Sequence, residues 1–215
     1  MSVKSAAELQ AVIGYKFKDP NTLAAALTHK SYVNEHKSAE SYERYEFLGD
    51  CVLNFLVGEW LFFLHPNIDE GELSKLRAAH VSKWPLSRLV ELYGLVDLLR
   101  VGAGVDKANF SVKRRSDIYE ALIGAVYIDG GMDACKIFME NTFYNNVVPE
   151  RDCRTELNEY AQKHGMTVNY SAPAQVSGGY ETVAEVGGVK YTGRASKEHD
   201  SVIAAARAVI AGLKL

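Results

Sequence analysis

Apolar and polar positions follow two different rhythms along the chain. Up to about residue 148 the apolar positions recur at helical spacing. Residues 6–13 carry a short amphipathic pattern. At Asp19-Pro20-Asn21 the residue types are those of a helix start, Asp19 as cap and Pro20 in the first turn, with Leu23, Ala26 and Leu27 as the apolar stripe. A polar stretch at 34–41 reads as a loop and leads into a long apolar-rich helix over 42–64. Residues 72–93 read as one helix or two, interrupted at Pro85. Residues 117–128 and 132–145 read as two more, separated by Asp129-Gly130-Gly131.

The rhythm then changes. Residues 149–154 carry Pro149 and mixed charges and read as a linker. A short helix at 155–164 closes at Gly165. Three segments at 168–174, 180–186 and 189–194 alternate or are β-branched, with glycine turns at 178–179 and 187–188. An alanine-rich helix at 201–213 ends the chain. The pattern predicts an all-α domain over 1–148, then a small α+β domain of order α-β-β-β-α over 155–215.

The 215 residues, 47% hydrophobic and 24% charged, are those of an ordinary soluble globular protein. The longest apolar candidate for a membrane span, 55–64, is broken by Gly58 and Glu59, so no membrane partner is expected. The first residues lack the apolar core of a secretory signal. Cys51, Cys135 and Cys153 form no CxxC pair, which favours free thiols in a reducing, cytoplasmic compartment. The net charge of −3 argues mildly against a nucleic-acid surface, yet a metal-dependent nuclease gathers carboxylates at its site.

Candidate chemistry lies on the longest helix. Glu43, Glu46 and Asp50 stand at i, i+3 and i+7, within roughly 60° of one another around the helix. They adjoin Phe47, Leu48, Cys51, Val52, Phe55 and Leu56, which have to be largely buried. Asp117 and Glu120 form a second acidic pair. Gly49 and Gly124 lie inside helices, where each costs about 1 kcal/mol against alanine, and a close helix crossing would explain both. If the helices cross there, four or five carboxylates converge, a donor set suited to Mg²⁺ or Mn²⁺. Two solvated acidic faces are the other reading that periodicity allows.

The segment from Glu43 to Leu53, ERYEFLGDCVL, resembles the signature of the ribonuclease III family. The segment from Asp117 to Gly131, DIYEALIGAVYIDGG, is similar to that family's second acidic block. Ala26 to Tyr32 and Glu70 to Ala78 match two further blocks in order, and the tail resembles a double-stranded-RNA-binding domain. The resemblance implies a homodimeric endonuclease that cuts both strands of double-stranded RNA with Mg²⁺, for which Mn²⁺ can substitute, leaving 5′-phosphates and short 3′ overhangs. It implies Glu46, Asp50, Asp117 and Glu120 as metal ligands, Glu43 and Glu70 as supporting catalytic residues, and Phe47 as the aromatic that enters the partner subunit. An intramolecular core position is the other reading of Phe47. A non-catalytic RNA-binding or structural protein on the same fold is the alternative for the whole chain, although both acidic blocks are intact.

The tail departs from the family pattern. Thr155, Asn158 and Glu159 stand where its first helix reads the minor groove. Ser177-Gly178-Gly179 lacks the usual histidine loop. Glu198 and His199 replace two lysines at the last helix, leaving Lys197 nearby as an RNA contact, with His199 able to add charge when protonated. A tail that docks protein is therefore a third reading. Arg114 and Arg115 precede Asp117 where the family is apolar, either as RNA contacts or as part of a solvated loop. His29, in a matching block, is expected to make structural hydrogen bonds.

Overall fold

The computed structural model describes residues 3–150 and 153–213. The chain divides into two compact units, Met1–Glu150 and Arg151–Leu215. Residues 151 and 152 of the expected 149–154 linker, and 214 and 215 of the expected second domain, lie outside the described residues.

The first unit is helical: α1 (Ala6–Ile13), α2 (Pro20–Ala26), α3 (Lys30–Glu35), α4 (Glu43–Leu64), α5 (Glu70–Val81), α6 (Lys83–Tyr93) and α7 (Val112–Thr142). Local chemistry sets the starts. Asp19 Oδ1 accepts from the Asn21 amide at 2.9 Å, with Pro20 at the first helical position where no amide is needed. Asp69 caps α5 through the Glu72 amide at 2.9 Å. The short α3, capped by the His29 ring, buries none of its residues, so no apolar stripe announces it.

Helices α4 and α7 form the centre. From α4, Val52, Leu53, Leu56, Val57 and Leu61 are buried; from α7, Ile118, Tyr119, Leu122, Ile123 and Val126. The 22-residue α4 is long and apolar enough to cross a membrane by length and composition, but these buried residues make it a core helix of this unit. Gly131, at φ 76° and ψ −170°, kinks α7 into the two segments expected from sequence. Below the kink, Asp129 accepts from the Tyr15 hydroxyl at 2.6 Å and the Lys18 amide at 2.7 Å, tying the chain's beginning to this corner.

Two expectations shift. The break between α5 and α6 falls at Ser82, which is extended (φ −65°, ψ 163°), and not at Pro85. Proline is tolerated in a first turn, where its missing amide has no partner to lose. Helix α7 starts at Val112, capped by Ser111, five residues before the expected start. Arg114 and Arg115 are therefore helical and not part of a loop. Arg115 pairs with Glu91, and the Arg114 guanidinium lies 5.7 Å from the centre of the Phe110 ring.

The second unit holds α8 (Cys153–Lys163), β1 (Val168–Tyr170), β2 (Ala174–Val176), β3 (Gly179–Val186), β4 (Val189–Ala195) and α9 (Glu198–Leu213). All pairings are antiparallel. The single strand expected at 168–174 is broken into β1 and β2, which both pair with β3, β1 at its end and β2 at its beginning. Ser171-Ala172-Pro173 interrupts it, as a proline without an amide would. The buried face carries Thr182, Ala184 and Val186 against Leu157, Ala205, Ala206 and Val209. Gly193 is required there, since a Cβ would stand 2.0 Å from the Ala205 amide nitrogen.

Candidate active site

The carboxylates meet where α4 crosses α7. A Cβ on Gly49 would lie 1.7 Å from the Glu120 carbonyl oxygen, and one on Gly124 would lie 2.1 Å from that of Tyr45. Only glycine at both positions lets the backbones approach this closely. The crossing places Glu46, Asp117 and Glu120 so that one oxygen from each lies within 4.8 Å of the others. Asp117 is buried, and the other two are partly so.

An open cleft above the crossing is lined by Glu43, Glu46, Phe47, Asp50, Lys113 and Glu120. Asp50 stands on its wall and accepts from Asn54 Nδ2 at 2.9 Å. Glu43, at the first turn of α4, forms an ion pair with Lys30 at 3.1 Å. Glu70 does not line this cleft: it begins α5 and accepts from Ser74 Oγ at 2.9 Å. Phe47 is at the cleft wall with 76% of its surface exposed, so it is no core residue of its own chain.

Lys113 escapes sequence reasoning. Its Nζ is 2.8 Å from Asp117 Oδ1 and 3.4 Å from Glu46 Oε1. In sequence it opens the run Lys113-Arg114-Arg115, indistinguishable from a solvated basic turn. Its position four residues before Asp117, one helical turn away, is the one signal that could have found it.

Burial first, then the charges of Asp117, Asp50 and Glu46, pushes the Glu120 carboxyl up to about 8. Burial and then Asp117 raise Glu46 as well, against the pull of Lys113. Crowded carboxylates in partial burial disfavour ionisation unless a cation joins them. Three hard oxygen donors at this spacing fit Mg²⁺ or Mn²⁺.

A pH dependence follows. A carboxyl whose value is raised in the folded state contributes stability below its unfolded value, near 4.5, and loses it as pH rises through about 8. Chelator-treated protein is expected to be less stable at pH 8.5 than at pH 5.5, by a few kcal/mol at most, and so to melt at a lower temperature. Thermal scans checking this should show a flatter profile for Glu120→Gln. An equally steep profile in that variant would place the effect elsewhere.

In the second unit, Asn158 and Glu159 are exposed on α8, and Thr155 is half-buried. Lys197, Glu198 and His199 are exposed where α9 begins, and His199 Nδ1 lies 3.8 Å from Asp200 Oδ1. His29 behaves structurally: its Nδ1 accepts from the Ser31 amide at 3.1 Å, and burial lowers its basicity. Cys135 and Cys153 are buried free thiols, while Cys51 is exposed.

Residues 19–147 match the family model described as Ribonuclease-III-like. The chain is 42% identical over 171 residues to Ribonuclease 3 of Campylobacter fetus, covering 75% of each chain. Against Ribonuclease 3 of Listeria monocytogenes it is 36% identical over 165 residues, 73% of this chain and 72% of that one. Among solved structures, the nuclease domain of ribonuclease III from Campylobacter jejuni superposes with a TM-score of 0.57 at 36% identity, covering 64% of this chain and 96% of that one. With the intact acidic blocks and the helical fold, these matches establish that the chain belongs to the ribonuclease III family of enzymes.

Proposed function

We propose that this enzyme hydrolyses both strands of double-stranded RNA, using Mg²⁺ held by Glu46, Asp117 and Glu120 with Asp50 beside them. The observation that carries the reading is the convergence of three carboxylate oxygens within 4.8 Å, two of them from residues that line an open cleft, Glu46 and Glu120. When bound, the metal supplies Lewis acidity that makes a water nucleophilic near neutral pH and offsets charge on the phosphate. The residues do the rest. Asp117 and Glu120, on one face of α7, fix one side of the donor set, and Glu46 closes it from α4. Glu43 lines the cleft and pairs with Lys30, whose charge would favour a phosphate backbone there. Mn²⁺ is expected to substitute. We assign Glu70 no metal contact.

Two chains working together would cut the two strands, leaving 5′-phosphates and short 3′ overhangs. Phe47, Phe55 and Phe62 are all more than half exposed along α4, an apolar line suited to a second copy. In the Campylobacter jejuni nuclease domain, a structurally flexible region is involved in dimer formation. Three free cysteines fit a reducing, cytoplasmic setting. A labelled RNA duplex, compared with each single strand alone, tests the substrate: both strands of the duplex should be cut and the single strands spared. Preferential cleavage of single strands would overturn the reading.

Thr155, Asn158 and Glu159 of α8, with Lys197 and His199, would give the second unit a weak grip on the duplex. The first turn of α9 carries Glu198 and Asp200. These acids favour the helix dipole but repel phosphate. Counterion release makes affinity scale with the phosphates neutralised. Replacing Glu198 and His199 together by lysine is expected to tighten duplex binding and steepen its salt dependence by roughly two units of slope. Filter binding across a salt series checks this. If the change has no effect, the reading of this turn as a duplex contact is wrong.

A further inference from the structure

The carboxylate cluster already holds a cation. The Lys113 ammonium contacts Asp117 and Glu46 at 2.8 and 3.4 Å, two of the three acids that converge. Neighbouring cations are engaged elsewhere: Lys30 pairs with Glu43, and Arg114 lies over the Phe110 ring. The Lys113 side chain is 70% exposed, so it reaches the acids from the solvent side on a flexible stem.

We propose that Lys113 is a resident counter-cation of the metal centre, which holds Glu46 and Asp117 together in the metal-free protein and is displaced when a divalent ion enters. The inference rests on the reading of the cluster as a metal site. Without a cation, part-buried acids this close repel one another and the α4–α7 crossing is strained. With Lys113 in place the repulsion is offset, and the acids stay converged before the metal arrives. The same contacts work against the metal. A divalent ion needs the oxygens that the ammonium uses, and two cations sharing them repel. Lys113 therefore trades metal affinity for metal-free stability. Its exposure limits both effects, because water screens the pair.

Mn²⁺ titration of the full chain without RNA, following free Mn²⁺ by its paramagnetic resonance signal, tests the proposal. Thermal melting in chelator is the second readout. Lys113→Gln is expected to bind Mn²⁺ severalfold more tightly than wild type and to melt lower when metal-free. Lys113→Arg, keeping the charge, should resemble wild type in both. Should Lys113→Gln fail to hold its fold in chelator, the Mn²⁺ concentration that restores it decides the question: a midpoint below that for wild-type stabilisation supports the proposal. Unchanged or weaker Mn²⁺ binding by Lys113→Gln overturns it while leaving the metal site standing. No Mn²⁺ uptake by the folded wild type overturns the metal site and this inference together.

Discussion

Glu120→Gln is expected to abolish cleavage of duplex RNA while leaving duplex binding near wild type. The substitution keeps the shape of the side chain and removes one of three converging charges. Glu120 is also the acid that the cluster strains most, with its carboxyl raised to about 8 by burial and by Asp117, Asp50 and Glu46. Such a group gains most from a bound cation. Losing it should cost roughly a thousandfold or more in rate, the scale of the several kcal/mol that a metal ion contributes to a transition state. RNA held mainly by its backbone should not register the change. Single-turnover cleavage beside gel-shift binding separates the two quantities. Wild-type cleavage by Glu120→Gln would remove Glu120 from the metal site.

Gly49→Ala is expected to damage the protein more than any other single methyl addition to α4. The new carbon would stand 1.7 Å from the Glu120 carbonyl oxygen, a backbone atom that cannot rotate away. One helix has to move. Overpacking of this kind costs on the order of 3 kcal/mol, which in a unit of this size lowers the melting temperature by roughly 10 °C. Because the displaced atom belongs to Glu120, metal-induced stabilisation should shrink in the same variant. Calorimetric scans with and without Mg²⁺ measure both effects. An unchanged melting temperature would mean that the helices do not cross as described.

The same glycines show what is legible in the sequence. Helical glycines beside acids, on two helices rich in apolar residues, have few explanations other than a close crossing. The bounds of α4 are equally legible, since an apolar stripe 22 residues long leaves little choice. What stays hidden has weak or misleading local signals. The short α3 buries nothing and so carries no periodicity. Pro85 looks like a helix breaker, yet it sits in a first turn that loses nothing to it. Lys113 looks like solvent-facing charge until the crossing brings Glu46 to it from 67 residues away. Glu70 opens a matching block of its own, but α5 holds it outside the cleft formed by its own chain. Contacts between distant segments are set by packing, which residue spacing along one helix does not encode.

On the proposed mechanism these carboxylates would hold the metal that activates water against RNA phosphates. End-group analysis of the products of a labelled duplex, with Mg²⁺ and with chelator, decides it. Cleavage is expected only with Mg²⁺, with 5′-phosphate and 3′-hydroxyl ends on both strands. Cleavage in chelator yielding 2′,3′-cyclic phosphates would show that the ribose hydroxyl is the nucleophile, and would contradict it.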